Sequence, residues 1–173
     1  MARLGQTFFK VTSDNTKNFN AIIDAFKDQE VVVGIPESEA ARKNTEDGGP
    51  INNAALLFIN EFGSPVNNIP PRPAMALGLS KAADDIADQF HNAAVHAFEG
   101  GQDAIDKYYN RAGFVASSAI KTVINDQMGI TPPSDATMAS RKSQGIKSTK
   151  ALIVTGQMRN AITHVVRERT WLK

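Results

Sequence analysis

The segment LLFINEFGSPVNNIPPRPAM, residues 56–75, constrains the fold more than any other stretch of the chain. It opens as an apolar helix, and Gly63 stands where a left-handed residue commonly ends one. Prolines on both sides of Arg72 then hold the backbone near polyproline geometry, because the proline ring fixes φ. A stiff arm of this kind loses little entropy when it docks against another protein. The segment therefore favours an assembly role over bond-making chemistry.

The length of 173 residues predicts a single domain, which by the scaling of surface with size buries roughly two-thirds of its unfolded surface. Cysteine is absent, which excludes disulfides and thiolate metal sites and suits a reducing cytoplasm. No stretch approaches the ~18 apolar residues of a membrane span, and the sequence MARLGQTFFK lacks the apolar run of a signal peptide. We therefore expect a soluble, unsecreted protein without a membrane partner.

Charge is distributed unevenly along the chain, although the net formal charge is only +1. Residues 1–130 contain 11 basic and 16 acidic residues, a net charge of −5, whereas residues 131–173 contain 8 and 2, a net charge of +6. This polarity favours either head-to-tail stacking of identical subunits or a basic tract that faces nucleic acid. A solvated surface without a partner is the third interpretation.

Apolar periodicity in the first part of the chain predicts alternating strands and helices. Residues 6–12 alternate as a strand does, and the β-branched run 30–35 predicts a strand that is buried on both faces. Between them, Asn15 or Thr16 is expected to cap a helix whose apolar stripe comprises Phe19, Ile22, Ile23 and Phe26. Residues 37–50 are charged and rich in glycine, which predicts a mobile surface loop.

The longest helical signal covers residues 74–127 and predicts an antiparallel two-helix hairpin. Gly100-Gly101 joins its two helices, 74–99 and about 102–127. The first helix has an apolar stripe that comprises Leu79, Ala82, Ala83, Ile86, Phe90, Ala93, Ala94 and Ala97. The second has a matching stripe that comprises Ile105, Tyr108, Ala112, Val115, Ala119 and Val123. An earlier helix, capped by Asn52 or Asn53, has one apolar side formed by Ala55, Phe58, Ile59 and Phe62.

The basic C-terminal segment contains several short elements. Ser134 is expected to cap a helix over 135–142, and a flexible basic loop follows at 144–150. One helical turn at 157–160 leads into a final strand over 161–169. The whole pattern predicts an α+β fold, in which a small, mostly antiparallel sheet packs on a long two-helix hairpin with extended loops.

No residue pattern in the sequence favours catalysis, a cofactor or a metal. His91 and His96 stand ~140° apart around a helix, so they cannot bind one metal as an i, i+4 pair does, and His164 lies in a separate element. Acids near the start of the first long helix, and in the first turn of the second, suit the helix dipole, namely Asp84, Asp85, Asp88, Asp103 and Asp106. Gly48-Gly49-Pro50 lacks the Lys-Ser/Thr of a phosphate-binding loop, and no serine lies in a nucleophile elbow. We expect a protein that is not an enzyme.

Two groups of basic side chains are candidates for binding. Arg72, on its stiff support, suits a bidentate pair with a carboxylate, either Glu61 across the turn or an acid of a neighbouring molecule. Loop rigidity alone is an equally good explanation of the prolines. The second group has no interleaved aromatic residue and comprises Arg141, Lys142, Lys147 and Lys150. This basic tract either contacts phosphates without reading bases or remains a solvated loop.

Three segments, in order, resemble motifs of tailed-phage virion-morphogenesis proteins, the group that includes the Mu-like G protein family and the lambdoid tail-component proteins. FINEFGSPVNNIPPRPAM (58–75) is similar to I-x-E/Q-F-G…I-P-x-R-P-F/M. TPPSDATMASRKS (131–143) is similar to P-P-L-S-x-x-T-x-x-R-K, and ALIVTGQMRNAITHVV (151–166) is similar to P-L-I-D-T-G-x-L-R-x-S-I. The sequence departs from these motifs at Ala74-Met75, Val154, Met158 and Ala161.

The resemblance implies a structural virion protein at the head–tail junction: a tail-completion, tail-terminator or neck subunit. Such proteins assemble as rings, often hexamers, around the DNA channel and contact other neck and tail-tube proteins. The implied location is the virion, after assembly in the host cytoplasm. The matched motifs imply subunit contacts at Glu61, Phe62, Gly63, Ile69, Pro70, Arg72, Pro73, Thr155, Gly156 and Arg159. The basic tract is then expected to line the lumen and touch packaged DNA weakly. The alternatives are a free nucleic-acid-binding accessory protein and a minor tail-tip or baseplate component.

Overall fold

The computed structural model describes residues 15–42, 51–101 and 103–169. Its elements in chain order are α1 (Thr16–Asp28), β1 (Gln29–Gly34), α2 (Glu37–Ala40), α3 (Asn53–Phe62), a 3-10 turn (Pro65–Asn67), α4 (Ala74–Lys81), α5 (Ala83–Gly100), α6 (Asp103–Asp126), α7 (Asp135–Ser143), α8 (Gln157–Ala161) and β2 (Thr163–Glu168). A small antiparallel sheet on long helices confirms the predicted α+β class. The predicted strand at 6–12 lies outside the described residues.

The sheet pairs the two ends of the described chain. β1 and β2 are antiparallel, in a register that runs from Gln29 opposite Glu168 to Gly34 opposite Thr163. Val31 and Val166 pack into the core, whereas the neighbouring pair Val32 and Val165 is 38% and 41% exposed. The prediction that the strand at 30–35, observed as β1, is buried on both faces is therefore wrong. Within the described residues, helices cover only the Val31 face, and the other face of this two-stranded sheet stays open.

The two-helix hairpin is present, with a bend in its first arm. α5 and α6 pack side by side, joined through Gly101, whose φ is +96°. The predicted single helix 74–99 is divided at Ala82, where φ −99° and ψ 10° depart from helical values. Hydrogen bonding continues through the bend, because Ala82 N–H donates to Gly78 and Ile86 N–H donates to Ala82. The bend lets both α4 and α5 lie against α6.

α6 is the central element of the core. One apolar cluster joins it to α1 and α5 and includes Ile22, Ala93, Ala97, Ile105 and Tyr109. A second cluster joins its C-terminal half to α3, α4 and α8 and includes Leu57, Ala74, Ile120, Ile124 and Ile162. The backbones of α4 and α6 come very close at Gly78, where an added Cβ would stand 2.6 Å from the Cα of Ile120. Gly78 lies outside the predicted stripes, whose small residues Ala93, Ala97 and Ala112 are also buried.

α3 is rotated relative to the prediction. Its expected core side is largely exposed, with Phe58 at 65% and Phe62 at 68%. The buried side is formed by Asn53, Leu57 and Glu61. This rotation is possible because the two polar side chains of the buried side bind backbone groups of other segments. Periodicity detects apolar residues only, so it pointed to the aromatic side.

The two predicted loops are partly ordered by local contacts. Glu37–Ala40 forms one helical turn, α2, and Ala40 is buried, while residues 43–50 lie outside the described ranges. The basic loop 144–150 is held against α7 by Arg141, as detailed below. None of the helices in the described part of the chain combines the length and hydropathy that a bilayer span requires.

Candidate functional site

The three segments that carry the phage-like motifs meet around one cavity of about 350 Å³. α3 and the proline arm form one wall, α7 forms a second, and residues 151–158 form the third. Of the predicted contact residues, those that line this cavity are Ile69, Arg72, Arg141, Thr155 and Gly156. Sequence motifs that are far apart along the chain therefore build one surface.

Arg72 fastens the proline arm to the linker between α6 and α7. Its Nε donates to the carbonyl of Thr131 at 2.8 Å and its Nη2 to the carbonyl of Pro132 at 3.3 Å. Its backbone N–H donates to the carbonyl of Asn60 at 2.6 Å. Burial, and next the charge of Arg141, lower the pKa of Arg72 from its ordinary value. The internal pair with Glu61 is not formed, because the carboxylate of Glu61 is occupied elsewhere.

Glu61 caps the helix that follows the arm. Its Oε2 accepts from Met75 N–H and its Oε1 from Ala76 N–H, both at 2.9 Å. Pro73 occupies the N-cap position of α4 and has no side-chain acceptor for these amides. A carboxylate at a helix N-terminus also interacts favourably with the helix dipole. Glu61, which belongs to α3, thus caps the N-terminus of α4 in place of a residue at the N-cap position.

The turn between α3 and the arm requires glycine at position 63. Gly63 has φ +76° and ψ 177°, so its φ is positive as predicted but the residue is not left-handed helical. An added Cβ would lie 2.8 Å from the carbonyl oxygen of Ile69 and 2.9 Å from the nitrogen of Pro71. Paired hydrogen bonds between Ser64 and Ile69, of 2.8 and 2.9 Å, close the turn. The chain reverses here in one fixed shape.

An aromatic pair stands exposed on the outer flank of α3. The rings of Phe58 and Phe62 are 4.9 Å apart, and each is about two-thirds exposed. Val66, in the 3-10 turn that follows, is 96% exposed. Leu56 and Asn60, which line the cavity, lie on the opposite flank of the same helix. α3 therefore presents an apolar surface on one side and the cavity on the other.

The basic tract divides into two structural and two exposed side chains. Arg141 Nη1 donates to the carbonyls of Ser148 and Lys150, at 3.1 and 2.9 Å, and so holds the 144–150 loop. Lys150 Nζ donates to the carbonyl of Asn125 at 2.6 Å. Lys142 and Lys147 instead flank a shallow groove on the far side of α7. Within the basic tract, Lys142 and Lys147 are therefore the side chains that are available to contact phosphates.

The remaining predicted contacts lie outside the cavity or support it. Arg159 Nη1 donates to Asn125 Oδ1 at 2.7 Å, and its other nitrogens donate to Asn160 Oδ1. Gly156, with φ +79°, begins α8 at the cavity wall. Pro70 is exposed and Pro73 is half-buried on the arm. Arg159 therefore acts within the chain in this structure.

Two further cavity residues, Arg42 and Asn53, were not predicted as site residues. Arg42 follows α2, which packs against α3, and lines the cavity. Asn53 is 2% exposed; its Nδ2 donates to the carbonyl of Ala41 at 3.3 Å, while its Oδ1 has no hydrogen-bond partner among the described residues. Asn52 is the residue that caps α3, through a 2.8 Å bond from Ala55 N–H. Neither Arg42 nor Asn53 belongs to a motif, so only the tertiary fold brings them to the site.

Two of the three histidines pack against α6. His96 stacks on Tyr108 with ring centroids 5.2 Å apart and pairs with Glu99, while His164 packs against Gly113. No group of three His, Cys, Asp or Glu residues that could hold a metal occurs in the described ranges. The cavity is therefore the best-formed candidate site.

Comparisons with protein-family models, with curated proteins and with solved structures found no match to this chain. The resemblance to phage assembly proteins rests on the three quoted motifs, and the function has to be argued from the geometry of α3, the arm and the cavity.

Proposed function

We propose that the chain is a structural subunit of a tailed-phage virion, a tail-completion, tail-terminator or neck protein. It associates with copies of itself in a ring, a hexamer by the resemblance, around the DNA channel at the head–tail junction. The observation that carries the proposal is the exposed aromatic pair Phe58 and Phe62, next to a turn of fixed shape. Exposed aromatic surface on a rigid support is typical of a surface that another protein covers.

The energetics favour burial of this pair. Covering the exposed part of each phenylalanine ring would contribute about 1–2 kcal/mol. The Glu61 cap and the Arg72 latch hold the surface in place before association, so little conformational entropy is lost on docking. The aromatic pair and the cavity lie on different flanks of α3, so one subunit can contact the next in a head-to-tail arrangement. Head-to-tail contacts that close on themselves give a ring.

In the proposed ring, the exposed lysines of the basic tract contact DNA in the lumen. Lys142 and Lys147 are solvent-exposed on the outer side of α7. DNA has to pass through a channel after assembly, so the contacts need to be weak and independent of sequence. Two unpaired lysines per subunit meet that requirement, whereas Arg141 and Lys150 are already bound to carbonyls.

Size-exclusion chromatography with light scattering tests the proposal directly. Wild-type protein is expected to elute as an oligomer of defined mass, with a central hole in negative-stain images. The variant Phe58→Ser/Phe62→Ser should elute as a folded monomer. Phe114→Ser is the matched control, because Phe114 is 67% exposed on α6, away from α3. A wild-type protein that stays monomeric at every concentration contradicts the proposal.

A free DNA-binding accessory protein is the second candidate, and the unpaired Lys142 and Lys147 are the observation that favours it. A salt titration of the monomeric aromatic variant on duplex DNA separates the two. An accessory protein retains DNA as a lone subunit at low salt and loses it log-linearly as salt rises. A ring subunit binds feebly until it is assembled.

A further inference from the structure

Three arginines from separate segments surround the cavity, which we call the arginine pocket: Arg42 after α2, Arg72 in the proline arm and Arg141 in α7. No aspartate or glutamate lines it among the described residues. In the described ranges, Lys27–Asp24 and Arg167–Glu30 are ion pairs outside the pocket, and His96 contacts Glu99 there as well. Among the described residues, three positive charges therefore share one pocket without a carboxylate to balance them.

The guanidinium groups retain unused donors. Arg72 donates through Nε and Nη2 to two carbonyls, and Arg141 donates through Nη1 to two others. Each guanidinium has five N–H donors, so several remain available to a ligand. The lowered pKa of Arg72, caused by burial and next by Arg141, indicates that the two cations repel each other. An anion between them would remove that repulsion and accept the remaining hydrogen bonds.

The buried Asn53 narrows the choice of anion. Its side chain is 2% exposed and lines the pocket, and its Oδ1 lacks a donor within the described residues. A buried acceptor without a partner is costly, so the incoming segment should bring an N–H or O–H group as well as a carboxylate. A protein segment offers both. The sugar–phosphate backbone of duplex DNA offers acceptors only, so the pocket suits an acidic protein surface better.

We infer that the arginine pocket of one subunit receives Asp84, Asp85 and Asp88 from α5 of a second copy. These acids are exposed, and none of them is in an ion pair found in the described ranges. α5 contains no lysine or arginine between Ala83 and Gly100. Asp84 and Asp88 are one helical turn apart, so both lie on one face. The side-chain amide of Gln89, one turn after Asp85, supplies the N–H donor for Asn53. The inference rests on the proposed function, because it names the charged contact of the proposed head-to-tail interface.

Charge reversal tests the contact. The pocket variant is Arg42→Glu, chosen because Arg72 and Arg141 also hold the fold, and the acid variant is Asp84→Lys/Asp85→Lys/Asp88→Lys. Sedimentation velocity should show that each variant alone associates at least about tenfold more weakly than wild type, since close charge pairs couple by that much or more. An equimolar mixture of the two should form dimers with one copy of each variant, because the unchanged pocket of the acid variant can receive the unchanged acids of the pocket variant.

Controls separate charge from folding. Arg111→Glu and Asp103→Lys change exposed charges on α6 outside the pocket and should leave association unchanged. Circular dichroism melting checks that each variant is folded, and the neutral pair Arg42→Gln and Asp84→Asn/Asp85→Asn/Asp88→Asn repeats the test for any reversal that unfolds.

The outcomes distinguish the inference from the proposed function. If the wild type and each of the two charge variants all assemble normally on their own, the arginine-pocket contact is overturned and the ring proposal is unaffected. Two variants that fail alone and also fail as a mixture overturn the pairing. A pocket variant that assembles normally but loses duplex DNA at low salt assigns the pocket to phosphate and also overturns it. A monomeric wild type removes both proposals together.

Discussion

The carboxylate of Glu61 at the end of α3 accepts a 2.9 Å hydrogen bond from the backbone N–H of Met75 at the start of α4, across the whole glycine–proline turn. Its other oxygen accepts from Ala76 N–H. Glu61→Ala should lower the free energy of unfolding by about 2–3 kcal/mol and Glu61→Gln by about 1 kcal/mol, because a buried charge-assisted cap is lost in full or in part. Urea denaturation measures both, with exposed Glu37→Gln as the control.

Substitution of Gly63 should be more damaging than substitution of Gly101, although both have positive φ with ψ near 180°. That backbone region admits little except glycine, so alanine at either position costs about 1–3 kcal/mol. Only at Gly63 would the new Cβ also meet backbone, 2.8 Å from the carbonyl oxygen of Ile69. Thermal unfolding should therefore rank Gly63→Ala below Gly101→Ala. Equal melting temperatures would contradict the close packing of the turn.

Gly78→Ala should destabilise the protein even though alanine is the better helix former. The gain in helix propensity is about 1 kcal/mol. The new Cβ, however, would stand 2.6 Å from the Cα of Ile120, which is backbone and cannot move aside cheaply. A net loss of about 1–3 kcal/mol is expected from overpacking. Gly113→Ala is the parallel case, because its Cβ would lie 2.4 Å from the ring and 2.7 Å from the Cβ of His164, and a similar loss is expected in guanidinium denaturation.

Arg72→Ala should lower stability in the monomer itself. The substitution leaves the carbonyls of Thr131 and Pro132 without their donor and frees the proline arm, at a cost of about 1–2 kcal/mol. Circular dichroism melting of dilute protein detects this loss without any contribution from assembly. The control is Arg111→Ala, an exposed arginine that lies 5.1 Å from the centre of the Tyr108 ring. Unchanged melting of Arg72→Ala would show that the latch contributes nothing to the fold.

Tyr109 should make the protein less stable at high pH. Burial raises the pKa of Tyr109 above 10.0, and the charge of Arg169 offsets this in part. The folded state holds the phenolic proton more tightly than the unfolded chain, so this contribution is complete below the unfolded pKa. It is lost as the pH rises through the raised folded pKa. Tyr109→Phe should remove that loss in pH-dependent urea denaturation, measured beside an ultraviolet titration of the phenol.

Elements with a strong local signal were predictable from the sequence. α1, α6, α7 and both strands of the sheet follow from apolar periodicity, capping residues and β-branched runs. The bounds predicted for α6, α7 and the two strands differ from the observed bounds by two residues or fewer. The Ser134 cap is confirmed by its bond from Thr137 N–H. The bend at Ala82 could not be predicted, because alanine favours an unbroken helix and the bend serves packing on α6.

The candidate site was predictable only in part. The three motif segments meet in space, which the sequence did not predict, and their charged residues have different partners from those expected. Arg72 and Glu61 are close in sequence and opposite in charge, yet backbone carbonyls and amides compete for both and hold them apart. Arg42 and Asn53 enter the pocket without any motif.

By itself, the sequence determined the local choices: which stretches form helices, where glycine and proline end them, and how acidic and basic residues divide along the chain. Only the tertiary structure decided which side of α3 is buried and which backbone groups bind Glu61 and Arg72. It also decided that three arginines line one pocket. The reason is physical. Helix periodicity and capping depend on neighbours within about one turn, whereas burial and hydrogen-bond partners depend on distant segments that compete for the same polar groups.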